Sequence, residues 1–123
     1  MSEFKIDHLN DEEFEITQNC GTELPFTGEY LKLESKGIYH CKVCDNILFS
    51  SDTKYDSGTG WPSFYDEIKD SIKTKEDISH NMVRTEILCS KCNSHLGHLF
   101  DDGPKPTGSR YCVNSLSLKF KDE

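Results

Sequence analysis

Two C-x-x-C pairs, separated by 44 residues, restrict the folds open to this chain more than any other feature. The first is Cys41-Lys42-Val43-Cys44 and the second is Cys89-Ser90-Lys91-Cys92. Each pair presents two thiolates from one tight turn, and two such turns can close a tetrahedron around zinc. Four sulfur ligands leave no position for water or substrate, so the spacing predicts one structural Zn²⁺ held by Cys41, Cys44, Cys89 and Cys92.

The alternative is that one of the pairs is a redox motif of the thioredoxin type. That motif normally follows a strand and opens a helix within a βαβ unit. Neither pair has such flanks, and a zinc site would join two β-hairpin regions that are far apart in sequence. The spacing therefore favours metal binding over dithiol chemistry.

Length and charge limit the functions that the chain can have. Its 123 residues predict a single domain over residues 1–123, and its formal charge of −8 argues against nucleic-acid binding. No apolar run approaches the roughly 18 residues of a membrane span. The acidic N-terminus lacks a basic and then apolar signal pattern, so we expect a cytoplasmic protein with no membrane partner.

The pattern of apolar residues predicts a mainly β domain with a short helical N-terminus. Asn10 and Glu13 form a capping-box pattern for a helix that ends near Cys20. Short β-like runs cover residues 37–41 and 46–49, and residues 81–88 alternate between apolar and polar. Residues 50–60 and 101–109 are rich in turn formers and are predicted to be loops.

A cysteine outside the pairs, Cys112, lies in the closing segment RYCVNSLSLKF. We predict one strand over residues 110–120, with Arg110, Cys112 and Asn114 on the face that Leu116, Leu118 and Phe120 continue into the core. A guanidinium two residues away lowers a thiol pKa, and Asn114 supplies a neutral donor for a substrate oxygen. The alternative is a buried, inert cysteine beside a solvated arginine.

Two histidines and a tryptophan add to this hypothesis. His95 and His98 directly follow the second cysteine pair, and because the four cysteines saturate a zinc ion, the histidines are left to donate hydrogen bonds or protons. The lone Trp61, between Gly60 and Pro62, can form an apolar wall for a methyl group. Either histidine could instead be structural, and the tryptophan could belong to the core.

The chain contains blocks that together resemble one enzyme family. In order they are GTELPFTGEY, YHCKVCDNILFSSDTKYDSGTGWPSF and VRTEILCSKCNSHLGHLFDDGPKPTGSRYCVNSLSLKF, which span nearly the whole chain. They resemble the type B methionine sulfoxide reductases, which act on the R epimer of methionine sulfoxide.

The resemblance implies two antiparallel sheets in a β-tent, closed by the four-cysteine zinc site. It implies that Cys112 is the nucleophile and becomes a sulfenic acid, which thioredoxin or another thiol later reduces. The substrate is expected mainly in proteins, and the enzyme is expected to act as a monomer. The residues implied around Cys112 are Trp61 and Phe100 for the methyl group, His95, His98 and Asn114 for the sulfoxide oxygen, and Arg110 beside the thiolate.

The sequence departs from the family at one position. Many members carry a resolving cysteine two residues before the tryptophan, where this chain has Thr59. Three recycling routes remain: Cys20 as a substitute, direct attack by an external reductant, or a small thiol. Two other functions also stay open, a zinc-stapled β module that binds a ligand without catalysis and a redox sensor whose oxidised thiolates release zinc.

Overall fold

The computed structural model describes residues 6–79 and 81–122, and its elements are one helix and nine strands. The helix, α1, is Asp11–Gln18. The strands are β1 Gly37–Cys41, β2 Ile47–Ser50, β3 Lys54–Tyr55, β4 Ser63–Phe64, β5 Ile72–Ser79, β6 Met82–Cys89, β7 His95–Phe100, β8 Arg110–Val113 and β9 Leu118–Asp122. Within the described residues, no helix is long and apolar enough to cross a bilayer.

The strands form two antiparallel sheets, which confirms the predicted fold class. The smaller sheet has the order β2-β1-β9, and the larger has the order β3-β4-β8-β7-β6-β5. Apolar side chains from both sheets make one core, because each sheet has a single apolar face to bury. The fully buried members include Tyr39, Leu48, Phe49, Phe64, Ile87 and Leu96.

Helix α1 begins where the sequence predicts. The Asn10 side chain accepts from the Glu13 backbone N–H at 2.8 Å, and the Glu13 carboxylate accepts from the Asn10 N–H at 3.0 Å. At the other end Cys20 takes a left-handed conformation with φ of 58°, and the Gly21 N–H bonds the Glu15 carbonyl. Glycine is the usual residue at such a helix end, so a cysteine there carries a conformational cost.

The prediction of one strand over residues 110–120 is wrong. A 3₁₀ turn at Ser115–Ser117 divides the segment, so that β8 joins the larger sheet and β9 the smaller. The Leu116 N–H bonds a carboxylate oxygen of Glu23 at 3.0 Å instead of a strand neighbour. Tyr111 and Val113 are the buried residues of β8, so the face that carries Cys112 points away from the core.

The predicted loop at residues 50–60 also contains regular structure. A 3₁₀ turn at Ser51–Thr53 leads into β3, which pairs with β4 through Lys54–Phe64 and Tyr55–Ser63. This two-residue strand holds the start of the segment that carries Thr59 and Trp61. Strand β5 was not predicted, because its sequence, IKTKEDIS, has no apolar face to mark it.

Candidate active site and metal centre

The four paired cysteines form a cluster between the two sheets. Sγ of Cys41 lies 3.6 Å from Sγ of Cys92, and Sγ of Cys44 lies 3.5 Å from Sγ of Cys89. These separations are far longer than a disulfide bond of about 2.05 Å. They approach the edge of roughly 3.8 Å that a tetrahedron with Zn–S bonds of about 2.3 Å requires. The donor set therefore fits a structural zinc ion.

Matching turns position the two halves of the cluster. Cys41 ends β1 and Cys89 ends β6, and each carbonyl accepts a backbone N–H four residues on, from Asp45 and Asn93 respectively, at 2.9 Å. Asp45 and Asn93 both have positive φ, of 69° and 63°, which aspartate and asparagine tolerate better than most residues. Each turn thus presents two sulfurs to the same point, and the cluster links the β1–β2 turn to the β6–β7 turn.

Cys112 lies on the polar face of the larger sheet, within a row of directly opposed residues. Ser63 on β4 is opposite Cys112, Cys112 is opposite His98 on β7, and His98 is opposite Glu86 on β6. Opposed residues point to the same face, so this row places a half-buried thiol beside an imidazole. The sequence predicted the two residues as neighbours, and the register brings them together.

A β-bulge places His95 on the same face as His98. Residues three apart in a regular strand point to opposite faces. Here the pairing of β6 with β7 shifts between Ile87 and Leu88, so that His95 lies opposite Leu88. The ring centroids of His95 and His98 are 5.6 Å apart as a result. Bulges often re-aim side chains in this way beside active sites.

Each histidine has a carboxylate partner that sequence reasoning missed. Nδ1 of His95 lies 2.7 Å from Oε2 of Glu86, and Nε2 of His98 lies 2.8 Å from Oδ2 of Asp77. Glu86 is 6% exposed, a rare state for a carboxylate without a partner. Its place in the run VRTEIL, on the polar face of an alternating strand, was the signal that could have identified it.

His95 is poised as a base. Burial lowers its pKa, and the hydrogen bond to Glu86 opposes this only in part. The imidazole is therefore neutral near pH 7, with its Nδ1 proton on the Glu86 bond. Its Nε2 is buried and has no hydrogen-bond partner among the described residues, so this nitrogen is left to accept or return a proton.

The electrostatics of Cys112 differ from the prediction that its pKa is lowered. Burial raises the pKa of the Cys112 thiol, and this effect outweighs the Arg110 guanidinium and a hydrogen bond from the Thr59 hydroxyl, which both lower it. Arg110 is shared with Asp102, whose carboxylate lies 2.7 Å from its Nε, and this ion pair reduces what the guanidinium can give the thiolate. The resting cysteine is a protonated thiol at neutral pH.

Glu23 joins Trp61 and Asn114 to the N-terminal segment. Its carbonyl accepts from the Trp61 indole N–H at 3.0 Å, and its own N–H bonds Oδ1 of Asn114 at 3.0 Å. Nδ2 of Asn114 donates to the Leu96 carbonyl at 3.1 Å, and Asn114 is 3% exposed. Both polar atoms of Asn114 thus bind backbone, which fixes its orientation. Because the amide nitrogen carries two hydrogens and donates one to Leu96, the role of Asn114 as a donor to the sulfoxide oxygen stays a prediction. Sequence reasoning did not identify Glu23.

Trp61 and Phe100 flank the strand pairs around Cys112 and differ in their surroundings. Trp61 lies two residues before Ser63, which is opposite Cys112; its side chain is half-buried and its indole orientation is fixed by the bond to Glu23. Phe100 pairs with Arg110 across β7 and β8, and the guanidinium lies 4.2 Å from the centroid of its ring. This cation–π contact holds Arg110 over Phe100.

Cys20 is exposed and reaches the same polar face from outside the sheet. Its Sγ donates to Oε2 of Glu86 at 3.6 Å, and the candidate ligand atoms of Cys20, Glu86 and His95 lie within 4.8 Å of one another. Burial and the Glu86 charge raise the pKa of the Cys20 thiol. Because Glu86 and Cys112 are two strands apart, at about 4.8 Å per strand, the two thiols do not touch in this conformation.

A zinc-type cysteine cluster beneath a two-sheet β fold, with a separate thiol among histidines, defines a class of thiol-dependent redox protein. The SelR domain model matches residues 9–122 of the chain. The chain therefore belongs to the SelR family of type B methionine sulfoxide reductases, which confirms the resemblance noted in its sequence.

Curated relatives support the same family over most of their length. The chain is 59% identical over 116 residues to "Peptide methionine sulfoxide reductase MsrB" of Leptospira interrogans, covering 94% of this chain and 88% of that protein. It is 57% identical over 116 residues to the protein of the same name from Escherichia coli K12 / DH10B, covering 94% and 85%.

A solved structure shares the fold at low sequence identity. The Mis18 "Yippee-like" domain superimposes with a TM-score of 0.58 at 18% identity, covering 72% of this chain and 97% of that one. At this identity the likeness concerns the fold alone. The arrangement of two sheets thus supports proteins whose sequences have diverged widely.

Proposed function

We propose that this chain reduces the R epimer of methionine sulfoxide, mainly in proteins, to methionine. The observation that carries the proposal is the row on the polar face, in which the Cys112 thiol lies directly opposite His98 and on the same face as His95. A module that only binds ligand has no use for a thiol there. The family membership supports the reaction, and the R preference follows the type B relatives.

The chemistry starts from a thiol and a neutral imidazole. Nε2 of His95 takes the Cys112 proton, directly or through His98, and the thiolate sulfur attacks the sulfur of the sulfoxide. The imidazolium returns the proton to the sulfoxide oxygen, which passes to the Cys112 sulfur as a hydroxyl group. The bond from this oxygen to the methionine sulfur breaks, and so does the transient bond between the two sulfurs. The products are methionine and a Cys112 sulfenic acid. Thiol plus sulfoxide gives sulfenic acid plus sulfide, so no proton is gained or lost overall.

The surrounding residues have assigned tasks in this scheme. Trp61 forms the wall against which the terminal methyl group packs, with Phe100 beyond it, and Arg110 stabilises the transient thiolate. Asn114 also acts indirectly, by fixing Glu23 and so the orientation of the Trp61 indole.

Recycling is assigned to Cys20. Its thiol gives its proton to Glu86 and attacks the sulfur of the Cys112 sulfenic acid. The S–O bond breaks, the departing hydroxide takes up that proton and leaves as water, and a Cys20–Cys112 disulfide remains. A dithiol reductant such as thioredoxin then restores both thiols. Cys20 supports this role because it already contacts the polar face through Glu86 and ends a short helix at a strained residue. The step requires the end of α1 to move toward β8.

Zinc is assigned to the cluster of Cys41, Cys44, Cys89 and Cys92. When bound it supplies structural cohesion, since four thiolates leave no open position for chemistry. We further propose that residues 1–123 form one domain, active as a monomer in the cytoplasm, where dithiol reductants keep thiols reduced.

A coupled assay with each epimer of a peptidyl methionine sulfoxide tests the proposal. Wild type is expected to reduce the R epimer, Cys112→Ser is expected to lose all turnover, and Cys20→Ser is expected to complete one turnover without recycling. Mass spectrometry after one equivalent of substrate should find the Cys20–Cys112 disulfide in wild type. Absence of turnover by wild type would reject the reductase assignment, and turnover by Cys112→Ser would reject that residue as the nucleophile. A persisting sulfenic acid in wild type would reject Cys20 alone.

A further inference from the structure

Two cavities adjoin each other next to the proposed nucleophile. The smaller, of about 400 Å³, is lined in part by Thr59 and Arg110, the residues that stabilise the Cys112 thiolate. The larger, of about 780 Å³, lies on the other side of Tyr55 and Asp56, which line both. A chain bound in the smaller cavity can therefore extend into the larger one.

One part of the wall of the larger cavity is apolar and held in place. Phe26, Leu31 and Leu33 contribute apolar side chains to it, while polar residues such as Glu34, Ser51 and Asp56 line the rest. Nζ of Lys54 donates to the Leu31 carbonyl at 2.9 Å and to the Leu33 carbonyl at 3.0 Å, so a half-buried ammonium fixes the backbone of this irregular segment. The cavity is thus preformed by contacts that need no ligand.

Phe26 is exposed in a way that folding does not explain. Its side chain is 69% exposed, and its φ of 66° is a left-handed conformation that bulky residues seldom adopt. A backbone hydrogen bond of 2.7 Å to the Gly60 carbonyl ties it to the residue before Trp61. A strained, rigid and exposed aromatic ring at the rim of a site indicates a contact surface for a ligand.

The junction of the cavities carries a polar atom without a partner. The Tyr55 hydroxyl is buried and has no hydrogen-bond partner among the described residues. It lies near Arg110 and Cys112, since their charges act on its pKa, which burial raises. A small rotation of the Tyr55 side chain would present this hydroxyl to a peptide carbonyl or N–H that crosses between the cavities, whereas free methionine sulfoxide would not extend far enough to use it.

From these four features we infer that the larger cavity is a binding subsite for a bulky apolar side chain next to the oxidised methionine in a polypeptide. Phe26 provides the contact face of this subsite, and the Tyr55 hydroxyl bonds the connecting backbone. The inference rests on the proposed function, because the sulfoxide must occupy the Cys112 site for its neighbour to reach the cavity. The sequence context of the sulfoxide then becomes a determinant of turnover.

The test compares three substrates: free methionine sulfoxide, a peptide whose sulfoxide is flanked by alanines, and the same peptide with leucines instead. Wild type is expected to show a kcat/KM about five- to tenfold higher for the leucine peptide than for the alanine peptide, the range that partial burial of one large aliphatic side chain provides. Asparagine tolerates the positive φ at position 26, so Phe26→Asn removes the aromatic ring without adding backbone strain. In this variant the ratio of the two kcat/KM values should fall toward one.

Matched readouts separate the subsite from folding and from the reaction itself. Turnover of free methionine sulfoxide should be unchanged in Phe26→Asn. Val83→Thr is the control for loss of an exposed apolar side chain elsewhere: Val83 is also 69% exposed but lies on β6, and this variant should retain the wild-type ratio. Equal kcat/KM for both peptides in wild type, or an unchanged ratio in Phe26→Asn, overturns the subsite. Absence of turnover with every substrate overturns the proposed function, and the subsite with it.

Discussion

At the scale of single residues, Thr59 shows how threonine in place of the family's cysteine changes the chemistry available next to Cys112. Its hydroxyl hydrogen-bonds Cys112 and also lies 2.8 Å from the Ser57 hydroxyl, which in turn lies 2.7 Å from Ser63 opposite Cys112. A cysteine at this position could form a disulfide, whereas threonine can only donate a hydrogen bond to the Cys112 sulfur. The chain therefore keeps a thiolate-stabilising donor here, and the recycling proposed above has to use another thiol.

Replacing Thr59 should test this donor. In a Cys20→Ser background, Thr59→Val should raise the Cys112 pKa and slow alkylation by iodoacetamide at pH 7 about three- to tenfold, within the range expected for a typical intramolecular hydrogen bond of about 0.5–1.5 kcal/mol. The rate should rise with pH in both proteins, with the curve of Thr59→Val displaced toward alkaline pH. Thr59→Ser is the control and should match wild type, and identical curves for valine and threonine would contradict the role.

His95 gives stability a pH dependence. Its folded pKa lies below its unfolded value because burial disfavours the imidazolium. The contribution of His95 to the free energy of unfolding is complete above the unfolded pKa of about 6.5. It is lost as the pH falls below that value, because the imidazole takes up a proton more readily in the unfolded chain than in the folded one. Urea titrations from pH 7.5 to 5 should show a steeper loss for wild type than for His95→Gln, by up to about 1.4 kcal/mol per pH unit. Parallel slopes would contradict a depressed pKa.

At the scale of the strands and the helix, the packing of β7 against β8 explains why glycine occupies position 97, directly before His98. A Cβ on Gly97 would lie 1.9 Å from the Cys112 carbonyl oxygen. Backbone atoms cannot move aside as a flexible side chain can, so the two strands approach closely only with glycine here. That approach sets the register in which His98 lies opposite Cys112.

Gly97→Ala should therefore displace β8, the strand that carries the proposed nucleophile Cys112. We expect a loss of about 3 kcal/mol in the free energy of unfolding, at the upper end of the cost of overpacking, together with a fall in turnover. Gly108→Ala is a comparison in open space, where no atom lies within 4 Å of the position that the alanine methyl would take and only the φ of 72° opposes the change. Equal stability of Gly97→Ala and wild type in chemical denaturation would show that β7 and β8 can separate without cost.

At the scale of the whole molecule, the cysteine cluster joins the two sheets. Cys41 and Cys44 belong to the smaller sheet and its turn, and Cys89 and Cys92 to the larger sheet and its turn, so an ion bound at the cluster would fix the two sheets together. A chain of 123 residues buries a modest core, and a metal site supplements it.

Loss of the metal should lower the stability of both sheets in one transition. Cys44→Ser is expected to lower the free energy of unfolding by at least about 3 kcal/mol and to abolish bound zinc in an elemental assay, since a tetrahedral site loses one ligand. Cys20→Ser, outside the cluster, should bind zinc as wild type does and change stability by less than about 0.5 kcal/mol. Purified wild type without bound metal, at full stability, would contradict the structural role.

Spacing and local chemistry were enough to predict several features before any coordinates were considered. The spacing of the two C-x-x-C pairs predicted the cluster of four cysteines, and the Asn10 and Glu13 capping box needs no distant partner. The family blocks point to Cys112 as the nucleophile, which stays a prediction. Other features emerged only from the folded chain: which face is buried, where the 110–120 segment breaks, and the bulge that brings His95 beside His98. The fold also makes burial outweigh Arg110 at Cys112, and it supplies Glu23, Glu86 and Asp77 as partners. The reason is physical: register, desolvation and long-range hydrogen bonds depend on residues far apart in the chain, which no local pattern records.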